Sequence, residues 1–227
     1  MSHSYEIEIK SLLGSYESAE NLIEKMKEMY VNIQELKGSS QLNHYFVGGD
    51  KEKLEYAITA LLKNNEEKDR LKKTLRDATA LSIRTRKADN DVLFVLKASI
   101  DDTTSENGTA RVEFEVKVEK TLDELDEILL ECGCEVQAKW SRERKEYDLG
   151  EGTLVCIDRN AGYGYIAEFE RVVEDATEAD AIKQELRTLM ENLGVEELSQ
   201  ERLERMFAYY NQHWRDYYGT DKTFIIE

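Results

Sequence analysis

The sequence predicts an α+β protein built on a closed antiparallel β-barrel, with a polar, charged lumen and helices around the outside. Four short segments alternate charged with apolar or β-branched residues: Glu6-Ile7-Glu8-Ile9-Lys10, Ser82-Ile83-Arg84-Thr85-Arg86, Arg111-Val112-Glu113-Phe114-Glu115-Val116-Lys117 and Ala167-Glu168-Phe169-Glu170. Residues two apart on a strand share a face, so each segment presents one charged and one apolar face. The acidic pairs Glu6/Glu8 and Glu168/Glu170 stand far apart in the chain, and basic residues alternate on the strands between them. Closing such strands into a barrel gathers the charged faces inside and turns the apolar faces onto helices. On one half-buried strand the charged face would be solvated surface; its recurrence on four segments makes it informative.

Taken in order, the first strand is followed by a helix that Ser15 or Ser18 can cap, with Ala19, Leu22, Ile23, Met26, Met29 and Tyr30 at helical spacing. A short strand is expected over 31–36 and another over 41–47. Residues 50–78 switch to helical periodicity through Leu54, Ile58, Leu61, Leu62, Leu71 and Leu75, broken at Asn64-Asn65-Glu66-Glu67. This reads as a helical insertion, either a packing pair or a cover for one barrel mouth. Residues 81–87 and 92–99 form a hairpin around Ala88-Asp89-Asn90-Asp91, and 101–108 form a polar turn. Thr121 with Glu124 is a capping box for a helix closed by Gly133, and a long strand follows over 135–149. Arg142 and Arg144 share its parity, whereas Lys139 does not. A strand over 153–158 places Leu154, Cys156 and Asp158 on one face, and Gly162-Tyr163-Gly164 turns the chain into the Glu168/Glu170 strand. Thr177-x-x-Asp180 is expected to start a helix ending at Gly194, and Ser199 to cap a last helix through Leu203, Met206, Phe207, Tyr210 and Trp214. The tail Tyr217-Tyr218-Gly219-Thr220-Asp221-Lys222 is a candidate plug for a barrel end. The whole is expected to be one domain over 1–227, with C-terminal helices over 176–216.

Composition excludes several function classes. A formal net charge of −17 argues against nucleic acid or an anionic membrane as partner, since both select basic surfaces. It leaves room for a small phosphorylated ligand, because distributed surface charge is screened beyond about 8 Å at physiological salt while cations inside a barrel act at contact. Three cysteines at positions 132, 134 and 156 fit neither a disulfide framework nor a CxxC metal site, and three scattered histidines cannot build a zinc cluster. No apolar run is long enough to span a bilayer, and the N-terminal residues do not read as a signal peptide, so a cytoplasmic protein is expected. No GxxxxGK[S/T] or strand-linked GxGxxG occurs, so the glycines at 162 and 164 serve a tight turn.

Carboxylates in the lumen are hard oxygen ligands suited to Mg²⁺ or Mn²⁺, and arginines on strands offer fork-shaped donors to phosphate. The expected ligand is a metal-bound polyphosphate. The motif Glu6-x-Glu8-x-Lys10 resembles the ExExK signature of the CYTH superfamily, the triphosphate tunnel metalloenzymes, which includes class IV adenylyl cyclases and thiamine triphosphatases. Later segments follow the same order: Gln41-x-x-x-Tyr45-Phe46, Arg84-x-Arg86, Lys97, Arg111-x-Glu113-x-Glu115, Arg142-x-Arg144 before Tyr147, Asp158, and 162–170 ending in Glu168-x-Glu170. Arg142 stands where that family more often has Lys. The resemblance implies an eight-stranded closed antiparallel tunnel. It also implies Mg²⁺ or Mn²⁺ held by Glu6, Glu8, Glu113, Asp158, Glu168 and Glu170, and phosphate bound by Arg84, Arg86, Lys97, Arg111, Arg142 and Arg144 with Tyr45 nearby. Glu6, Glu8 and Lys10 become the catalytic group, with Lys10 orienting the acidic pair or touching phosphate.

The implied partner is a triphosphate-containing small molecule, without nucleic acid or membrane, and the protein is expected to be a monomer or homodimer. The expected activity is metal-dependent hydrolysis of inorganic triphosphate, thiamine triphosphate or a nucleoside triphosphate. The alternatives are a class IV adenylyl cyclase making cyclic AMP from ATP, and a non-catalytic polyphosphate- or nucleotide-binding module. Tyr45 and Trp140 are candidates for recognising an organic group.

Overall fold

A computed structural model describes residues 5–99 and 111–226. The polar turn expected at 101–108 and the first four residues lie outside the described residues, as does the Arg111 side chain. The expected class holds: among the described residues, six α-helices accompany eight long strands and one two-residue strand, and the strand pairs within each compact unit are antiparallel. The described residues group into two compact units, interleaved in sequence: 5–40 and 141–226 form the first, and 41–99 and 111–140 the second.

In the first unit β1 (Tyr5–Gly14) pairs with β9 (Gly164–Val173), β9 with β8 (Thr153–Asn160), and β8 with the C-terminal half of β7 (Cys134–Gly150). The strand expected at 31–36 shrinks to β2 (Gln34–Glu35), a two-residue partner of β7. The alternation in β1 acts as expected: Ile7 and Ile9 are fully buried, while Glu6, Glu8 and Lys10 on the other face are half-buried. Ile7, Ile9, Val155, Ile157, Ala167 and Phe169 meet the apolar stripes of α1 (Tyr16–Met29) and α5 (Ala179–Leu193), the latter through Ile182, Leu186, Met190 and Leu193. Ser15 is the cap of α1, its hydroxyl accepting from the Ser18 amide.

Thr177 does not cap α5. It sits in a 3₁₀ turn, where its amide donates to the Asp175 carboxylate, and α5 begins behind Glu178 without a side-chain cap. Its end is as expected, with Gly194 left-handed at φ 70°. The last helix, α6 (Gln200–Tyr217), is capped by Ser199 and buries Met206 and Tyr210. The tail beyond it runs along the β8–β9 turn: the Gly162 amide donates to the Lys222 carbonyl (2.9 Å) and the Phe224 amide to the Gly162 carbonyl (2.8 Å).

In the second unit β3 (Ser39–Gly48), β4 (Ala80–Ala88), β5 (Asp91–Ser99) and β6 (Arg111–Val118) form an antiparallel run. The expected insertion is a helix pair, α2 (Lys51–Leu61) and α3 (Asn65–Asp77), capped by Asp50 and Asn64. Leu54, Ile58, Leu71 and Leu75 join Phe46, Ile83, Phe94, Leu96 and Phe114 in one core, so these helices are packing elements of the unit. The Lys51 ammonium donates to the carbonyls of Leu75 (3.2 Å) and Ala78 (3.0 Å), placing a cation at the negative end of α3. The remaining helix, α4 (Leu122–Glu131), opens with the predicted Thr121–Glu124 capping box.

Candidate active site

The sequence-predicted site residues divide between the units: Glu6, Glu8, Lys10, Arg142, Arg144, Asp158, Glu168 and Glu170 belong to the first, and Tyr45, Arg84, Arg86, Lys97, Arg111 and Glu113 to the second.

In the first unit the pairing register aligns the charged faces. Glu8 stands opposite Glu170, Lys10 opposite Glu168, and Asp158 opposite Arg144. One oxygen from each of Glu6, Glu8 and Glu170 lies within 4.8 Å of the others, in a half-buried group. This donor set fits a hard divalent cation, which carboxylate oxygens prefer and whose charge offsets their mutual repulsion. The other two predicted metal ligands of this unit, Asp158 and Glu168, are engaged by cations. Asp158, fully buried, takes a fork from Arg144, Nε to Oδ1 and Nη2 to Oδ2 at 2.7 Å each, and a third bond from Arg142 Nη1 at 2.7 Å. Glu168 accepts from Arg144 Nη2 and lies 3.4 Å from Lys10 Nζ, which also donates to Glu8 at 2.7 Å. Burial works against the Arg144 charge, but Asp158 and Glu168 outweigh it and hold the guanidinium firmly protonated. Beside them burial pushes the Cys156 thiol far up, so it is an inert neighbour of the charged row. Tyr147 is a core residue, 1% exposed among the apolar side chains, with its hydroxyl pushed up to about 12 chiefly by burial.

In the second unit the charged face of β3 to β6 is a set of paired cations. Arg84, 8% exposed, lies with its guanidinium carbon 4.9 Å from the Tyr45 ring centre and donates from Nη1 to the Tyr45 hydroxyl (3.3 Å). Tyr45 in turn meets Trp140 edge-on, with ring centres 5.0 Å apart. Arg86 donates to Asn43 (2.8 Å) and Glu115 (2.7 Å). Lys97 is buried 3.4 Å from Glu113, its cross-strand partner, so it reaches the charged face although Val95 beside it is apolar. Glu113 therefore has a lysine at hand, in the unit that does not hold the three-carboxylate group.

Sequence reasoning missed a second buried polar group in this unit. Asp126 of α4 is bonded by His44 Nδ1 (2.6 Å), Thr85 Oγ1 (2.6 Å) and Lys139 Nζ (3.3 Å). Burial raises the Asp126 carboxyl, but these hydrogen bonds and the nearby positive charge prevail and hold it below the usual carboxylate range. Two signals were legible: Asp126 falls on the apolar stripe Leu122, Leu125, Leu129, and His44 falls between Leu42 and Phe46 on the apolar face of β3.

The family model for the CYTH domain matches residues 4–203. No curated protein matches the sequence. Among solved structures, the PH1819 protein of Pyrococcus horikoshii OT3 is similar with a TM-score of 0.59 at 21% identity, over 86% of this chain and 94% of that one. A proposed adenylate cyclase of Vibrio parahaemolyticus gives 0.55 at 16% identity over 84% and 89%. A proposed adenylyl cyclase of Hippeastrum, described as having a dominant triphosphatase activity, gives 0.50 at 16% identity over 86% and 89%. At such identities the likeness shows the fold, and the antiparallel strands with accompanying helices are consistent with the tunnel architecture expected from the sequence. With the family model matching nearly the whole chain, the protein belongs to the CYTH family.

Proposed function

We propose that this protein is a metal-dependent hydrolase of a triphosphate, with Mg²⁺ or Mn²⁺ as its cofactor. The observation that carries the reading is the convergence of Glu6, Glu8 and Glu170 on one point, in the same unit as Lys10, Arg142 and Arg144. The three carboxylates would hold the cation, which when bound supplies positive charge to phosphate oxygens. Lys10 keeps Glu8 and Glu168 oriented through its two short contacts. Arg142 and Arg144 carry the charge that stabilises anionic phosphoryl oxygens as water attacks the terminal phosphorus and the diphosphate departs. Asp158 and Glu168 hold both guanidiniums in place, which lowers the cost of ordering them on a phosphate. The family resemblance assigns Arg84, Arg86, Lys97 and Arg111 to phosphate binding as well. A phosphate-binding role for Asp158's arginines and a metal role for Asp158, Glu168 and Glu113 are separable by mutation. The structurally similar Hippeastrum protein, a proposed adenylyl cyclase described as having a dominant triphosphatase activity, supports placing hydrolysis ahead of cyclisation.

The test is product analysis with inorganic triphosphate, thiamine triphosphate or ATP in the presence of Mg²⁺ or Mn²⁺, beside Glu8→Ala and Glu170→Ala. Orthophosphate release that both substitutions abolish is the expected result. Cyclic AMP with pyrophosphate would establish a cyclase instead, and binding of triphosphate without any product would establish a binding module.

A further inference from the structure

Directly behind the aromatic and guanidinium cluster of the second unit lies the buried Asp126 network. The three residues that bond Asp126 are each the chain neighbour of one cluster member: His44 precedes Tyr45, Thr85 follows Arg84, and Lys139 precedes Trp140. Strand alternation sends neighbours to opposite faces, so what Asp126 grips on one face fixes what projects from the other. The register reinforces this, for His44 is the cross-strand partner of Thr85, and Tyr45 the partner of Arg84. One carboxylate on a capped helix therefore ties three strand positions together. On the other face the Tyr45 ring is held between Trp140 and the Arg84 guanidinium.

A leucine at position 126 would complete the apolar stripe of α4 without needing donors. A buried carboxylate is costly unless several donors satisfy it, and here three do. Arg84 is the side chain with most to gain from this. A long, flexible cation loses rotamer entropy on binding an anion, and a ring clamped against it has already removed much of that freedom.

We infer that Asp126 is a positioning residue, which through His44, Thr85 and Lys139 sets the Tyr45–Trp140 clamp and thereby the Arg84 guanidinium for an anionic phosphate. The identity of that anion rests on the triphosphate reading above. Tyr45 is accordingly a holder of Arg84, and not a stacking platform for a base or thiazolium.

The test uses a Trp214→Phe background, in which Trp140 is the remaining tryptophan of the two in the chain. Thr85→Val removes one donor with little change of volume, and Asp126→Asn removes the charge. Three quantities are read: acrylamide quenching of Trp140, calorimetric affinity for inorganic triphosphate, and Mn²⁺ affinity without triphosphate. Each variant is expected to make Trp140 more quenchable and to weaken triphosphate binding about tenfold, as loss of a hydrogen bond to a charged group would. Mn²⁺ affinity is expected to stay unchanged, which a general loss of structure would not allow. A folded Thr85→Val protein with unchanged quenching and triphosphate affinity overturns the inference, whether or not Asp126→Asn folds. If the parent protein binds no triphosphate, the polyphosphate reading fails; Trp140 quenching then decides the positioning role alone, and unchanged quenching overturns it.

Discussion

Glu8 and Glu170 are direct cross-strand partners, one near the start of β1 and the other on β9, and their oxygens converge with one from Glu6. Like charges placed opposite one another on a sheet are destabilising, by about 0.2–1 kcal/mol for an exposed pair. Their juxtaposition is a site whose stability depends on what binds it.

Glu170→Gln is expected to leave the metal-free melting temperature unchanged or raised, because it relieves that repulsion. The same substitution should remove the upward shift that Mn²⁺ gives the parent protein. A cation at 100 times its Kd adds about 2.7 kcal/mol to the folded state. Differential scanning fluorimetry with and without Mn²⁺ checks both parts; a retained metal shift would place the cation elsewhere.

Arg144→Met is expected to destabilise by about 3–5 kcal/mol, since it removes the two-bond fork on the fully buried Asp158 and leaves the single bond from Arg142. The double variant Arg144→Met with Asp158→Leu should recover much of that loss, because replacing both members removes the stranded charge. Urea unfolding of the four proteins gives the coupling energy. Additive effects would show that the fork contributes nothing specific.

The Asp126 carboxyl titrates lower in the folded chain than in the unfolded one, where it sits at about 3.9. A depressed folded value stabilises above the unfolded value and is lost as pH falls toward the folded one. The stability deficit of Asp126→Asn should therefore shrink between about pH 5 and pH 3. Melting temperatures of the two proteins at pH 5, 4 and 3 check the sign; a deficit that widens on acidification contradicts it.

Gly162 adopts φ +85°, and a Cβ there would lie 2.7 Å from Tyr210 Cε2 and 3.0 Å from Phe224 Cε1. Its amide and carbonyl both bond the C-terminal tail. Gly162→Ala is expected to cost about 1–3 kcal/mol and to speed proteolytic removal of the residues after Tyr217. Limited proteolysis followed by mass spectrometry reads the second effect.

Much of the fold was legible because its signals are local. The alternation of β1 separates Ile7 and Ile9 from Glu6, Glu8 and Lys10 within five residues, and the structure buries them accordingly. The Thr121–Glu124 box, the Ser15 and Ser199 caps and the Gly194 stop each concern one helical turn. The strand parity of β7 separates Lys139 from its neighbour Trp140, and Lys139 bonds Asp126 within the second unit. The Thr177 cap failed because the Asp175 carboxylate takes the Thr177 amide and draws those residues into a 3₁₀ turn. The strand at 31–36 kept only two residues, since the chain turns at 31–32, where the Ile33 amide donates to the Tyr30 carbonyl, although Leu36 still bonds β7 through the Glu146 carbonyl.

The sequence by itself determined which residues could face a charged interior, because side-chain direction along a strand follows from a period of two and needs no partner. Only the tertiary structure decided which of those charges meet. That choice depends on register between strands remote in the chain, where a slip of one residue would send every side chain to the other face. Register brings Glu170 to Glu8 and gives Glu168 to Lys10, while Asp158 falls to Arg144 and Lys97 to Glu113. Six acidic residues that look alike in sequence are thereby divided into a group of three whose oxygens converge, Glu8 among them also held by Lys10, and three that pair with cations elsewhere.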